Sequence, residues 1–279
     1  MRSTSNPAFR NLPRSSAGYG QYGQYGQYGP NVGFEQPPGA GYGMPQQMAG
    51  AGDRPMTVDD VVIKTGLSLA TALVTGVLTA IWAQSQAEAR AMGPVLGVLF
   101  AGMLVGTVLA MVMIFRQKPS GPMTLLYSAA EGVLLGAITG VFEMIYHGIA
   151  LQAILGTFGV FIAMLVVYKT GAVKVTPKLT RWIIGATSGA VILMFANLLL
   201  SLFGVNMGLR SGGAIAIIFS LVVIGIAAFN FLLDFDMADR MIREGMPAKW
   251  AWFAAFGLMT TLVWLYLEIL RLLSYLQND

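Results

Sequence analysis

The 279-residue chain has no cysteine, a single histidine and few charges: Asp, Glu, Lys and Arg together make up 11% of it. Without cysteine there is no disulfide framework, no thiolate metal site and no thiol nucleophile. Ordinary soluble domains are nearer a quarter charged. The deficit, with 56% hydrophobic residues and a mean hydropathy of +0.66, points to lipid as the solvent. The formal charge of +4 is modest, and the basic residues lie between apolar runs instead of forming a patch, so nucleic acid is not an expected partner. The first 52 residues contain no apolar signal-peptide core, so the first apolar run is expected to act as a retained signal-anchor.

What is present divides in two. Residues 1–56 are rich in Gly, Gln and Pro, and the triplet Gln-Tyr-Gly repeats three times from Gln21 to Gly29. Such a segment buries too little apolar area to offset the entropy of ordering, and it reads as a disordered tail. Residues 57–279 form the second part. Thr57 with Asp60 three residues on reads as a helix start, with the acids at the positive end of the helix dipole. Seven apolar runs follow, near residues 65–83, 95–115, 123–146, 149–168, 182–203, 212–233 and 252–273. Each is about long enough to cross roughly 30 Å of hydrocarbon. They lack the period-2 alternation of a membrane strand. The expected fold class is therefore all-α: a polytopic bundle of seven transmembrane helices. Only His147-Gly148 separates the third and fourth runs, which requires a tight turn.

Lysine and arginine set the expected orientation. One side receives the tail and nine loop charges: Arg116, Lys118, Lys169, Lys174, Lys178, Arg181, Arg240, Arg243 and Lys249. The other receives Arg90 and Arg210, with Arg271 near the end of the last run. The N-terminus is thus expected in the cytoplasm and the C-terminus outside. Glycines recur every four residues in the third run (Gly132, Gly136, Gly140), the second (Gly102, Gly106) and the fifth (Gly185, Gly189). Spacing of this kind suits close packing of helices in lipid. A flexible pore-lining face is the alternative reading.

Ionisable groups inside a bilayer cost several kcal/mol, so each one is a functional candidate. They are Glu131 and Glu143 in the third run, Asp234 and Asp236 ending the sixth, and Glu268 in the seventh. From helix rise, Glu131 lies roughly 12 Å in, Glu143 roughly 30 Å in and Glu268 roughly 24 Å in, with Asp234 near the inner end. Acids at several depths suit a path for cations or protons, because hard cations prefer oxygen ligands and protons need relay groups. Local explanations stand beside this one. Glu268 can pair with Arg271 three residues on, Glu143 can reach the interface near His147, and Asp236 and Asp239 can sit in water with Arg240 and Arg243. Glu131 has no local base.

Residues 232–276, LLDFDMADRMIREGMPAKWAWFAAFGLMTTLVWLYLEILRLLSYL, resemble the last two helices of the Bax inhibitor-1/YccA family, most closely its actinobacterial branch. SNPAFRN, MTVDDVVIKTG and AAEGVLLGAITGVFE match that branch too. The resemblance covers nearly the whole chain apart from the Gln-Tyr-Gly insert. It implies a bacterial plasma-membrane protein whose last helix is central, wrapped by two three-helix layers. It also implies a pH-sensitive leak of calcium, with a pair of acids in the last two helices as sensor and a transient calcium contact. By motif these are Asp234, in LLDFD, and Glu268, in LYLEIL, where other members carry Asp. A basic residue after the second helix takes part in some members, and Arg116 is the nearest match. Two close carboxylates repel when both are ionised, so such a pair shares a proton. The linker is long, however. Straight antiparallel helices leave Asp234 and Glu268 roughly 15 Å apart in height, so they meet only if residues 237–250 lie along the membrane surface or a helix bends.

Other classes fit less well. Ser188 between Thr187 and Gly189 is a hydroxyl in a span, but the one histidine, His147, precedes it, whereas intramembrane serine proteases carry theirs later. There is no phosphate loop and no metal-ligand spacing, so neither an enzyme nor a resident cofactor is expected. A retinal protein would need a lysine in the last run. The closer rival is an adaptor: some relatives restrain a membrane AAA protease, and the tail offers a handle for a partner. Oligomeric state has no signature here.

Overall fold

The computed structural model describes residues 54–89, 91–205, 208–210 and 212–277. The Gln-Tyr-Gly tail and Arg90 lie outside the described residues. Seven helices fill almost all of the rest: α1 (Val58–Glu88), α2 (Met92–Arg116), α3 (Gly121–Ile145), α4 (Ile149–Thr170), α5 (Pro177–Leu202), α6 (Ala214–Arg243) and α7 (Ala251–Leu276). They are 22 to 31 residues long, or roughly 33–46 Å at 1.5 Å per residue. All seven are long and apolar enough to cross a membrane. Their outward faces carry large apolar side chains such as Leu78, Phe100, Leu155 and Phe195, which lipid, and not water, solvates.

The helix starts are chemically marked. Thr57 Oγ1 accepts from Asp60 N–H at 3.3 Å while Asp60 Oδ2 accepts from Thr57 N–H at 3.0 Å, a reciprocal capping box. Ser120 and Thr176 cap α3 and α5, each with a proline in the first turn, where a missing N–H costs nothing. The α3–α4 turn is tight because Gly148 adopts φ +82°, which a side chain would strain. Residues 54–56, compositionally part of the tail, dock on the α6–α7 turn. Met56 N–H donates to Met246 O at 2.7 Å, and Ala248 N–H to Arg54 O at 2.8 Å. This same turn ends in a single 3-10 turn, Ala248–Trp250.

α7 is the axis of the bundle. It buries 78% of its most apolar window, against at most 50% for any other helix. It packs on α1 and α3 on one side and on α4 and α6 on the other. α1, α2 and α3 pack among themselves, as α6 does with α4 and α5, so two three-helix layers flank α7. Phe231, Phe253, Phe256, Met259 and Leu265, all under 2% exposed, form the core around it.

Small residues bring α1 and α3 together. A side chain on Gly132 would collide with Ala72 and Thr75 of α1, one on Gly136 with Gly76 and Thr79, and one on Gly140 would stand 2.6 Å from Ala80 O. Gly102 of α2 meets the α3 backbone at Leu134 in the same way, at 3.2 Å. The packing expectation fails for α5: a Cβ on Gly185 or Gly189 meets nothing within 4 Å. α5 packs mainly on α6, and its four-residue glycine spacing faces open space.

Candidate functional site

Three carboxylates line α7, each more than nine-tenths buried: Glu131 at 8% exposure, Asp234 at 1% and Glu268 at 2%. Their levels follow from helix rise. Glu131 stands ten residues into α3, roughly 15 Å from its start, and Thr261, which meets Asp234, stands ten residues into α7. Both acids therefore lie at mid-depth and not at the inner end, where the sequence reading put Asp234. The reason is that α6 continues unbroken to Arg243, nine residues past Asp234.

On the α6 side, Thr261 Oγ1 donates to Asp234 Oδ2 at 2.6 Å. The same hydroxyl is 3.4 Å from Gly257 O, and its one hydrogen goes to the closer acceptor, Asp234 Oδ2. One turn earlier on α6, Asn230 Nδ2 donates to Thr187 Oγ1 of α5 at 2.8 Å and to Ile226 O at 2.9 Å. On the α3 side, the neighbouring Thr260 Oγ1 donates to Phe256 O at 3.0 Å and lies 3.3 Å from the Tyr127 hydroxyl, which is also a side-chain hydrogen-bond neighbour of Glu131. Tyr127 precedes Glu131 by one turn and is its electrostatic neighbour. The Glu131 carboxylate faces Gly106 of α2, where an added Cβ would stand 2.8 Å from Oε1. Among the described residues no cation lies within ion-pair distance of Glu131. Gly106 thus serves not helix packing alone but room for a carboxylate.

Glu268 is placed differently. It is seven residues past Thr261, about two turns or roughly 10 Å further along α7. Asp234 and Glu268 stand at two levels, because neither a surface segment nor a bend brings them together. Glu268 Oε1 accepts from Arg271 Nη1 at 2.7 Å and lies 3.5 Å from Arg210 Nη2. Oε2 is buried with no hydrogen-bond partner among the described residues. Arg210, in the α5–α6 connection, has its pKa lowered first by burial and then by the like charge of Arg271, with Glu268 acting in the opposite direction.

The remaining candidates have local roles. Glu143 Oε1 accepts from Gly148 N–H at 2.6 Å and Oε2 from Ala150 N–H at 2.9 Å, so it caps α4 at the positive end of that helix. Asp236 pairs with Arg240 one turn on. Asp239 pairs with Arg243 at 2.9 Å and accepts from the Tyr168 hydroxyl at 3.2 Å. Arg116 is exposed at the last turn of α2. Thr261, Thr260, Tyr127 and Arg210 were not singled out by the sequence reading. Hydroxyls inside an apolar run carry no charge signal, and Arg210 counted only as a loop charge because its partner lies 58 positions away in the chain.

A central buried helix, two flanking layers and carboxylates held at membrane depth define a polytopic helical membrane protein. The model of the family described as Bax inhibitor 1 like matches residues 6–278, and the chain belongs to that family. No curated protein and no solved structure matches it.

Proposed function

We propose that this protein forms a pH-sensitive leak path for cations, calcium or protons, along α7 of a bacterial plasma membrane. The tail side faces the cytoplasm and the end of α7 faces outside. The observation that carries the reading is the set of three carboxylates buried along one central helix, two at mid-depth and one roughly 10 Å further out. Burying acids at this depth costs free energy that a purely structural bundle has no reason to spend. Carboxylate and hydroxyl oxygens are what a hard cation accepts in place of water. Glu131, Tyr127 and Thr260 on the α3 side, with Thr261 and Asp234 on the α6 side, supply them at one level. A proton gained or lost there changes the charge of a nearly dry layer between two helix layers, and that charge biases how α3 and α6 pack on α7. The sensor in this reading is the mid-depth layer, with Asp234 as its centre. Glu268 with Arg210 and Arg271 forms a separate charged station toward the outside, and a calcium ion would contact Asp234 before Glu268 only in transit.

The test is flux into vesicles loaded with a calcium dye, across mildly acidic to mildly alkaline pH. Wild type is compared with Asp234→Asn, Glu131→Gln and Glu268→Gln. The proposal expects pH-dependent flux that Asp234→Asn and Glu131→Gln both alter in midpoint, with Glu268→Gln altering amplitude more than midpoint. Flux indifferent to all three substitutions overturns it. Absence of flux in the wild type does so as well, and would favour the adaptor reading, in which the tail binds a membrane protease or another membrane protein.

A further inference from the structure

A cavity of about 340 Å3 lies away from the carboxylate layer, between α1, α3, α4 and α7. Val77 and Ile81, which line it from α1, are themselves half-exposed, so the cavity has a mouth on the outside of the bundle. The volume falls at the lower end of the range for small-ligand sites, and the wall is overwhelmingly apolar with a few placed polar groups, the usual composition of such a site.

Those polar groups are informative. Thr157 spends its hydroxyl hydrogen on Ala153 O at 2.7 Å. Thr139 Oγ1 and Tyr266 OH are 2.7 Å apart and bond each other. Two hydroxyls bring two hydrogens, and one bond between them uses one. The second hydrogen has no acceptor among the described residues, although both side chains are more than nine-tenths buried, at 7% and 9% exposure. An orphan donor in an apolar wall is costly, and water would find further partners only at the Glu143 and Gln84 end, leaving the apolar length of the slot unfilled. The missing acceptor therefore belongs to an occupant: a carbonyl oxygen on an apolar molecule.

The outer lip narrows the class further. Glu143, one turn or about 6 Å beyond Thr139 on α3, lines the same cavity with Gln84 of α1. Its two oxygens each accept one backbone N–H, leaving lone pairs for further donors. An acidic lip with spare acceptors rejects an anionic head and welcomes hydroxyls.

We propose that this slot binds a neutral single-chain lipid ester of the monoacylglycerol type. The chain lies against α1 and α4, the ester carbonyl accepts from the Thr139–Tyr266 pair, and the head hydroxyls donate to Glu143 and Gln84. The proposal is independent of ion flux.

The experiment measures saturable binding of radiolabelled monoolein to the full chain in nanodiscs, with oleate and a diacyl phosphatidylglycerol as competitors. Thr139→Val leaves the Tyr266 hydroxyl with its own hydrogen and is expected to bind within about twofold of wild type. The pair Thr139→Val with Tyr266→Phe removes both donors and is expected to weaken binding about tenfold. Thr157→Phe fills the slot and should abolish binding, and Val77→Trp closes the mouth should the first variant fail to elute as a folded species. Failure of the wild type to saturate overturns the proposal. So does binding that the double variant and the filled slot both leave intact, or competition by oleate or phosphatidylglycerol as strong as that by monoolein itself.

Discussion

The hydroxyl of Thr261 points across the α6–α7 interface and donates to the buried carboxylate of Asp234 at 2.6 Å. One uncharged side chain on the central helix thus holds the acid on which the proposed sensor turns. A hydrogen bond contributes about 0.5–1.5 kcal/mol, and about 1.5–3 kcal/mol when its acceptor is ionised. Thr261→Val keeps the shape and removes the donor, whereas Thr261→Ser keeps the donor and removes a methyl. Thermal unfolding in detergent should rank Thr261→Val clearly below Thr261→Ser, and a reversed order would show that packing, not the hydroxyl, matters at this contact.

Glu268 answers to two arginines of unequal weight. Arg271 bonds it at 2.7 Å from the same helix, and Arg210 reaches it at 3.5 Å from the α5–α6 connection. Removing one partner of a buried ion pair costs about 3–5 kcal/mol because the other charge is left uncompensated. Arg271→Ala should approach the lower part of that range, since Arg210 remains to compensate in part. Arg210→Ala should cost about 1 kcal/mol, closer to a half-exposed pair. Adding Glu268→Gln to Arg271→Ala should recover stability relative to Arg271→Ala alone. A double-mutant cycle reads the coupling directly, and strict additivity would mean that the three groups do not act as a unit.

Much of this architecture is written in local pattern, and the exceptions have physical causes. The seven helices follow from apolar runs that only a bilayer explains, and the Thr57–Asp60 box from residues three positions apart. The α3 glycines follow from their spacing, because close approach in lipid needs small side chains. The same spacing in α5 misled, since Gly185 and Gly189 meet no partner helix, and periodicity records a face without recording what lies opposite it. The levels of Asp234 and Glu268 depended on where α6 ends. Hydropathy places that end at Leu233, but residues 234–243, half of them charged, continue the helix by pairing Asp236 with Arg240 and Asp239 with Arg243 one turn apart. Contacts such as Arg210 with Glu268 or Thr139 with Tyr266 join distant stretches of chain and leave no trace in either.

The contrast between the two glycine faces is itself testable. Gly136→Val would drive a branched side chain into Gly76 O and Thr79 of α1, which only separation of the α1–α3 pair could relieve. Overpacking of this kind costs typically about 1–3 kcal/mol and more where backbone is the obstacle. Gly189→Val meets open space and also removes a glycine from a helix interior, a change worth a few tenths of a kcal/mol in either direction. The expected outcome is loss of monodisperse protein, or a large fall in melting temperature, for Gly136→Val, with Gly189→Val near wild type. Severe damage from Gly189→Val would reveal a partner pressed on α5.

Glu143 is a half-buried acid that serves architecture, unlike the buried acids proposed to serve ions. Both of its oxygens are engaged by the first free N–H groups of the α3–α4 turn and α4, at 2.6 and 2.9 Å, where the helix dipole also favours negative charge. Loss of a helix cap costs about 0.5–2 kcal/mol. Glu143→Ala should therefore lower stability by an amount in that range, measured by denaturant or thermal unfolding in detergent, and Glu143→Gln should lower it less because one carbonyl oxygen still accepts. The flux experiment supplies the second half of the test. If Glu143 is a cap, Glu143→Gln leaves the pH midpoint of flux where it stands in the wild type, while Asp234→Asn moves it. A midpoint shifted equally by both substitutions would place Glu143 on the path, and the mid-depth layer around Thr260 and Thr261 would no longer account for pH sensitivity on its own.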